Sequence, residues 1–384
     1  MPEKPTVGIV GASGFIGSRL VEWLALRDLA HVRPIVRSFK SMARLARFDL
    51  DCRVADATDQ AALETQLEGC EVLFHCVVGG RRTILRSAEA AYRAAAGAGV
   101  RRLVYLSSAV VHGHDPAPGT NDDSKLVARQ SFKYNVSKVM AERLLRRLRA
   151  DGAVEVVTLR RMFVFGPRSQ HFTVQIAMDL LSGRAYLIDE GVGICNTVYV
   201  DNLVHAMWQA AIVGRAGNQE FIITDGAQVT WRDLYSAVAE AVGVDIASVP
   251  SIESVALARL YREQRYAQLK IAGKRFAWAM RESLPSSVIS TAREILPSRV
   301  IKAIKPWWAS FQAPGFESIQ TESGMQTLPI IDREIASWQC CRYMLPIEKA
   351  WNLLGYEPQV TFSEGCRRTR DWIRFAFGMG GGRA

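Results

Sequence analysis

The chain has few of the features that would staple or anchor it. Its seven cysteines form neither a paired framework nor two C-x-x-C clusters, which argues against a disulfide scaffold or a zinc module and fits a reducing cytoplasm. There are six histidines. His112 and His114 sit close together in "HGHD", but no third ligand stands at a recognisable spacing, so no metal site is expected. Uncharged apolar runs are short of the roughly 18 residues a membrane helix needs. The longest candidate, "NTVYVDNLVHAMWQAAIVG", is broken by Asp201. The opening "MPEKPTVGIV" lacks the apolar core of a signal peptide. The expectation is a cytoplasmic protein. Internal repeats and low-complexity tracts are absent apart from the glycine-rich end "GMGGGRA".

What is present is ordinary globular composition, 49% hydrophobic and 22% charged over 384 residues, enough for a sizeable core and two lobes. The net charge of +10 is local. Between Arg259 and Lys305 stand eleven Lys/Arg and three Glu, which supply eight of the ten excess charges. From Arg259 to Trp308 these cations are mixed with Ile, Val, Leu and the pair Trp307-Trp308. That is the composition of a peripheral helix on an anionic membrane, and equally of a solvated basic face on a helical cap. No nucleic-acid-binding module accompanies the charge, and no nucleic-acid partner is expected.

From Thr6, short β-rich runs alternate with helical stretches: "TVGIV", a helix from Ile16 to Ala25, "VRPIV", a short helix near "SMARLA", and "CRVADAT". They continue with a helix at "QAALETQLE", "EVLFHCVV", a helix in "ILRSAEAAYRAAAGAG", "RRLVYLSS", a helix around Tyr134 and "VEVVTLRR". Alternation of this kind predicts an α/β fold with a doubly wound parallel sheet, the Rossmann fold, and a smaller, mostly helical substrate-binding lobe. The expected division is 1–168 for the dinucleotide-binding domain, with return segments near 194–226. Residues 169–384 form the substrate lobe, which includes a basic helical segment at 251–312.

The first strand runs into Gly11-Ala-Ser13-Gly14-Phe15-Ile16-Gly17 and then into a helix. Glycines in a strand-turn-helix let backbone N–H groups approach a pyrophosphate at the positive helix end, while the last glycine permits close packing. The signal is for a dinucleotide. At the end of the second strand, where an acidic residue would hold the ribose of NAD, stands Arg37, a fit for the 2′-phosphate of NADP. The reading is NAD(P) with a tilt towards NADP.

In "FKYNVSKVMAERLL", apolar Val136, Val139, Met140, Leu144 and Leu145 recur at mostly helical spacing, so Tyr134 and Lys138 share a helix face.

Together, "GIVGASGFIGSRL", "VADATD", "LFHCVV", "LVYLSSAVVHG", "YNVSK", "LRRMFVFGP" and "VYVDNLVHA" resemble, in order and spacing, the extended short-chain dehydrogenases/reductases and their NAD-dependent epimerase/dehydratase group. "CRYMLPIEKAWNLLGYEPQVTFSEGCRRTRDWI" is similar to the family's closing segment. The likeness covers about Thr6 to Val249 and Arg342 to Ile373. It implies that Tyr134 is the general acid/base and that Lys138 binds the nicotinamide ribose. Ser108 would hold the reacting oxygen, and Ser107 would be structural. It further implies cofactor contacts at Gly11, Ser13, Gly14, Phe15, Ile16, Gly17, Asp56, Ala57, His75, Cys76 and Val77, besides Tyr134 and Lys138.

Departures shape the activity expected. His112 stands where the family usually has Tyr, and no carboxylate pair for elimination follows Ser108. Phe163 replaces the Asn that contacts a sugar nucleotide, so "RRMFVFGP" is closer to the 3β-hydroxysteroid dehydrogenase branch. A buried core aromatic would explain Phe163 as well. The expected activity is hydride transfer between NAD(P) and a secondary alcohol or ketone, a small-molecule substrate of sterol-like kind. A nucleotide-sugar 4-epimerase and a non-catalytic dinucleotide sensor stay open. The likeness also implies a homodimer through the helices at about Leu85–Ala98 and Tyr134–Arg149.

Overall fold

The computed structural model describes residues 3–266 and 330–378. The chain forms two compact units, Met1–Ser251 with Glu334–Ala384, and Ile252–Arg333.

In the first unit the elements run β1 (Thr6–Val10), α1 (Phe15–Leu26), β2 (His31–Val36), β3 (Arg53–Val54), α2 (Gln60–Leu67), β4 (Val72–His75) and α3 (Arg81–Gly97). They continue with β5 (Arg102–Ser108), α4 (Lys133–Leu148), β6 (Glu155–Arg161), β7 (Phe163–Phe165), α5 (Gln175–Leu181) and β8 (Leu187–Ile188). Then come β9 (Thr197–Tyr199), α6 (Val200–Ile212), β10 (Glu220–Ile223) and α7 (Trp231–Val242). After the second unit follow α8 (Arg333–Gln339), α9 (Glu348–Leu354) and α10 (Phe362–Ala376). The expected helix near "SMARLA" is a short 3-10 turn at Phe39–Met42, and "CRVADAT" pairs only over β3. Met42 and Leu45 still pack against the core, but through successive tight turns that end at Phe48.

Seven strands form one sheet in the order β10-β6-β5-β4-β1-β2-β3, and every pairing is parallel. Parallel strands linked through helices are covered on both faces, which explains the continuous runs of Val, Ile, Leu and Phe. Val7, Ile9, Leu73, Phe74, Leu103, Val104, Val157 and Ile222 are all fully buried. Each such side chain contributes roughly 1.5–3 kcal/mol on leaving water.

The strand order reverses between β1 and β4, and such a switch point opens a crevice at the carboxyl ends of the strands. The candidate cofactor turn after β1 and the segment after β4 flank it. Buried Arg102 helps fix the frame by donating to the carbonyls of Ala210, Ala211 and Val213 at the end of α6, and it pairs with Glu155 at 2.6 Å.

A two-stranded parallel pair, β7 with β9, lies outside the main sheet. The closing segment is stitched to this region by asparagines. Asn196 bonds the backbone of Tyr343 and Leu345, and Asn202 bonds that of Gln359 and Val360. In the second unit residues 257–266 are helical, and the Arg333 guanidinium lies 4.6 Å from the centre of the Tyr261 ring. From residue 267 on, the basic segment expected at 251–312 and the membrane-contact segment 259–308 lie outside the described residues. Among the described residues, no helix is long and apolar enough to cross a membrane.

Candidate active site

The turn after β1 is shaped for a close approach. Gly11 has φ +81°, and a Cβ there would lie 2.9 Å from the Cys76 backbone. A Cβ on Gly17 would stand 2.3 Å from the Gly11 carbonyl oxygen, so only glycine lets α1 begin this close to its own turn. Gly14 is the N-cap of α1 and offers no side-chain cap, and the first turn holds no acidic residue. The positive end of α1, at Ser13, Phe15 and Ile16, thus has neither a side-chain cap nor an acidic neighbour in its first turn, which fits a pyrophosphate.

The adenosine end carries mixed charge. Exposed Arg37 directly follows β2 and acts electrostatically on Asp56, as does Arg86 of α3, which sequence reasoning missed. The Asp56 carboxylate accepts from the Thr58 backbone and hydroxyl at 2.8 and 2.7 Å, and these bonds hold it below the usual carboxylate range. Asp56, next to buried Ala57, lines an open cavity of about 600 Å³ with Gln60, Glu64 and Arg86. At the end of β4, His75 is fully buried, with its Nε2 3.0 Å from the Ser87 hydroxyl. Burial and then the Lys138 charge pull it down to about 3, so its imidazole is neutral. Cys76 and Val77 follow it into the crevice, and burial pushes the Cys76 thiol up to about 12.

The three candidate catalytic residues come from two elements. Ser108 ends β5; Tyr134 and Lys138 lie one turn apart at the start of α4. Ser108 is buried, and its hydroxyl bonds to no described residue. Neighbouring Ser107 donates to Glu142 at 2.5 Å, a structural bond one turn beyond Lys138. The Lys138 ammonium donates to the Leu106 carbonyl at 2.7 Å and lies 6.0 Å from the centre of the Tyr134 ring. Burial first, and then the Arg161 charge, pull it down to about 7.

Two features were not legible in the sequence. Arg161 pairs in register with Ser108 across β5 and β6, and it donates to the Tyr134 oxygen at 3.2 Å. Behind it, buried Arg160 meets Glu142 at 2.9 Å and donates to His112 Nε2 at 3.3 Å. Burial, and then the Arg160 charge, push His112 down to about 4. His114 instead lies between Phe132, tilted against it at 4.6 Å, and Trp338, stacked at 6.1 Å between ring centres.

Beyond the reacting groups lies an aromatic cluster. Phe163 is buried 4.8 Å from Trp231, 5.0 Å from Phe172 and 5.2 Å from Trp338, measured between ring centres. Through Trp338 and His114 it extends to Phe132, two residues before Tyr134.

Comparisons with known proteins bear on the family and the fold. A ketoreductase of Stigmatella aurantiaca, acting on 4-hydroxy-2-methyl-3-oxo-4-farnesyl-3,4-dihydroquinoline-1-oxide by its name, is 26% identical over 66% of this chain and 78% of its own. A 3β-hydroxysteroid-dehydrogenase/decarboxylase of Arabidopsis thaliana is 24% identical over 94% of this chain and 78% of its own. UDP-glucose 4-epimerases of Vibrio cholerae and Mycolicibacterium smegmatis are also relatives, at 25% and 30% identity over 60% and 61% of this chain and 74% and 82% of their own. The solved structure of a UDP-glucuronic acid 4-epimerase from Bacillus cereus, in complex with NAD, shares the fold at a TM-score of 0.66. It is 15% identical and covers 97% of this chain and 99% of its own. The model of the NAD-dependent epimerase/dehydratase family matches residues 7–224, more than half the chain. Fold, turn and matched residues agree: the chain belongs to the NAD-dependent epimerase/dehydratase family, within the extended short-chain dehydrogenases/reductases.

Proposed function

We propose that the protein is an NAD(P)-dependent oxidoreductase that interconverts a ketone and a secondary alcohol on a bulky, largely apolar substrate. The observation that carries this reading is the pairing of two hydroxyl groups whose protons meet no acceptor among the described residues with a buried ammonium. Ser108 bonds to no described residue, and Tyr134 donates to none. Lys138 stands one turn further along the same helix.

The cofactor would be held by the Gly11–Gly17 turn, with its adenosine towards Asp56, Ala57 and Arg37 and its nicotinamide ribose at Lys138. When bound, it supplies or accepts a hydride. Ser108 donates a hydrogen bond to the substrate oxygen, and Tyr134 gives it a proton in reduction or removes one in oxidation. Arg37, with Arg86 nearby, favours the 2′-phosphate of NADP.

The aromatic cluster around Phe163 supports an apolar substrate, and the ketoreductase and dehydrogenase relatives have bulky, apolar groups in their names, a farnesyl chain in one and a steroid in the other. Nucleotide-sugar 4-epimerisation is the second reading, favoured by the epimerase relatives. A silent dinucleotide sensor would have no need of all three of Ser108, Tyr134 and Lys138.

The two enzymatic readings differ in what happens to cofactor. An epimerase restores its cofactor in each cycle and can retain it, whereas a dehydrogenase must exchange it. After extensive dialysis, the absorbance of acid-released nicotinamide is measured and turnover with added NAD(P)H is followed on bulky ketones. Exchangeable cofactor with net ketone reduction is expected. Stoichiometric retained NAD with interconversion of UDP-sugars would move the answer to the epimerase. Sedimentation of the same protein tests the homodimer through α3 and α4.

A further inference from the structure

Arg161 has a position that its neighbours do not explain. It ends β6, and its side chain is half-buried beside Ser108 and Tyr134. One terminal nitrogen donates to the Tyr134 oxygen and the other to the Met162 carbonyl, each at 3.2 Å. Among the described residues it has no carboxylate partner. The nearby Glu142 is taken by Arg160 and Ser107. A guanidinium that is partly withdrawn from water gains from a partner, and here that partner is the Tyr134 oxygen.

The donor inventory decides what the contact does. A guanidinium only donates, so Arg161 occupies a lone pair of the Tyr134 oxygen. The Lys138 ammonium, also donor-only, is turned to the Leu106 carbonyl and to the Tyr105 hydroxyl at 3.4 Å. The phenol proton therefore has no acceptor among the described residues, and it is left for a bound oxygen.

We propose that Arg161 is a further member of the reacting group, holding Tyr134 as a proton donor to the substrate oxygen and sharing the charge left when that proton departs. This rests on the reading of the protein as a ketone reductase. In the reductive step a bound, reduced nicotinamide would supply the hydride for the new C–H bond, and the C=O π pair moves to oxygen. That oxygen takes the Tyr134 proton and leaves a phenolate, which regains a proton from solvent. The ketone is reduced, and the nicotinamide that supplied the hydride would be oxidised. A fixed, partly desolvated cation beside the oxygen that becomes negative is worth more than one free in water.

The test has a substrate-free arm and a kinetic arm. Fluorotyrosine is incorporated in place of Tyr134, and its fluorine resonance is recorded with NADP⁺ present. Arg161→Met should move the resonance and Arg161→Lys should restore part of the shift; an unmoved resonance overturns the proposal. In reduction of α-tetralone and trans-decalone by NADPH, Arg161→Met should lower kcat by about tenfold to a hundredfold with KM little changed. Arg161→Lys should recover part of that rate. In a Tyr134→Phe background the same change should cost nothing further, because Arg161 acts on the missing hydroxyl. A rise in KM alone would assign Arg161 to a substrate anion, and an additive loss would give it an independent role; either overturns the proposal. Full activity in Tyr134→Phe would instead overturn the reductase reading on which it rests.

Discussion

Glu142 and Arg160 form an ion pair at 2.9 Å with both side chains essentially out of contact with water. Glu142 lies one turn past Lys138 on α4, and Arg160 lies on β6, so the pair ties the helix carrying Tyr134 to the strand carrying Arg161. Removing one partner strands the other's charge in the interior. Glu142→Ala should therefore cost roughly 3–5 kcal/mol of stability. It also takes the acceptor from Ser107. Urea unfolding of the variant and the parent measures the cost, and a change below about 1 kcal/mol would show that water reaches Arg160.

This bond also shows which parts of the site can be read from a sequence. The glycine turn and the Tyr134–Lys138 pair are local: their meaning follows from a strand-turn-helix order and a four-residue spacing. Arg161 and Arg160 are adjacent in the chain but do different things, and their partners Tyr134 and Glu142 are 27 and 18 residues away. Only the β5–β6 register, which sets Ser107 against Arg160 and Ser108 against Arg161, assigns them. The family likeness favoured Ser108 over Ser107; the structure adds that Ser107 is occupied by Glu142 and leaves the Ser108 hydroxyl uncommitted. The seam made by Asn196 and Asn202 spans about 150 residues, a separation at which periodicity carries no information.

A pH measurement can isolate Lys138. Burial and then Arg161 lower its ammonium from 10.5 to about 7, while Glu142 acts the other way and less strongly. Between those values the unfolded chain holds a proton that the fold does not, so stability contributed at this site rises with pH. The burial penalty is fully present below about pH 7 and fades as pH approaches 10.5. Relative to Lys138→Met, which keeps the length and loses the charge, wild type should gain a few kcal/mol of stability across that window. Denaturation midpoints of the cofactor-free proteins, taken at several pH values, check this. A difference that stays flat would place the ammonium in contact with water.

Gly17 offers a test of the cofactor turn that leaves every charge in place. A methyl group there would lie 2.3 Å from the Gly11 carbonyl oxygen and 3.0 Å from the Ala12 Cα, both of them backbone. Neither neighbour is the flexible tip of a side chain, so α1 must move away from the turn. Gly17→Ala should weaken NAD(P)H binding by about tenfold or more, since the N–H groups that meet the pyrophosphate are displaced together. Fluorescence titration with NADH and NADPH measures this, and unchanged affinity would place the dinucleotide elsewhere.

The choice between the two cofactors turns on Arg37. It is exposed at the end of β2, and its charge reaches Asp56 from one side while that of Arg86 reaches it from α3. Asp56 spends acceptor capacity on Thr58, so its carboxylate is held in place and the two guanidinium groups remain free to face an added anion. A 2′-phosphate placed there meets two cations and one carboxylate, and an Arg fork matches its oxygens in a way a lone hydroxyl cannot exploit. NADPH should therefore bind more tightly than NADH, by roughly tenfold to a hundredfold at low ionic strength, and less so as salt screens the exposed charge. Arg37→Asp supplies the hydrogen-bond acceptor that a ribose 2′-hydroxyl needs and repels the phosphate, so the order should reverse. Titrating both cofactors into both proteins at two salt concentrations decides it. A wild-type preference for NADH that is indifferent to salt would mean that the Arg37 guanidinium points into solvent.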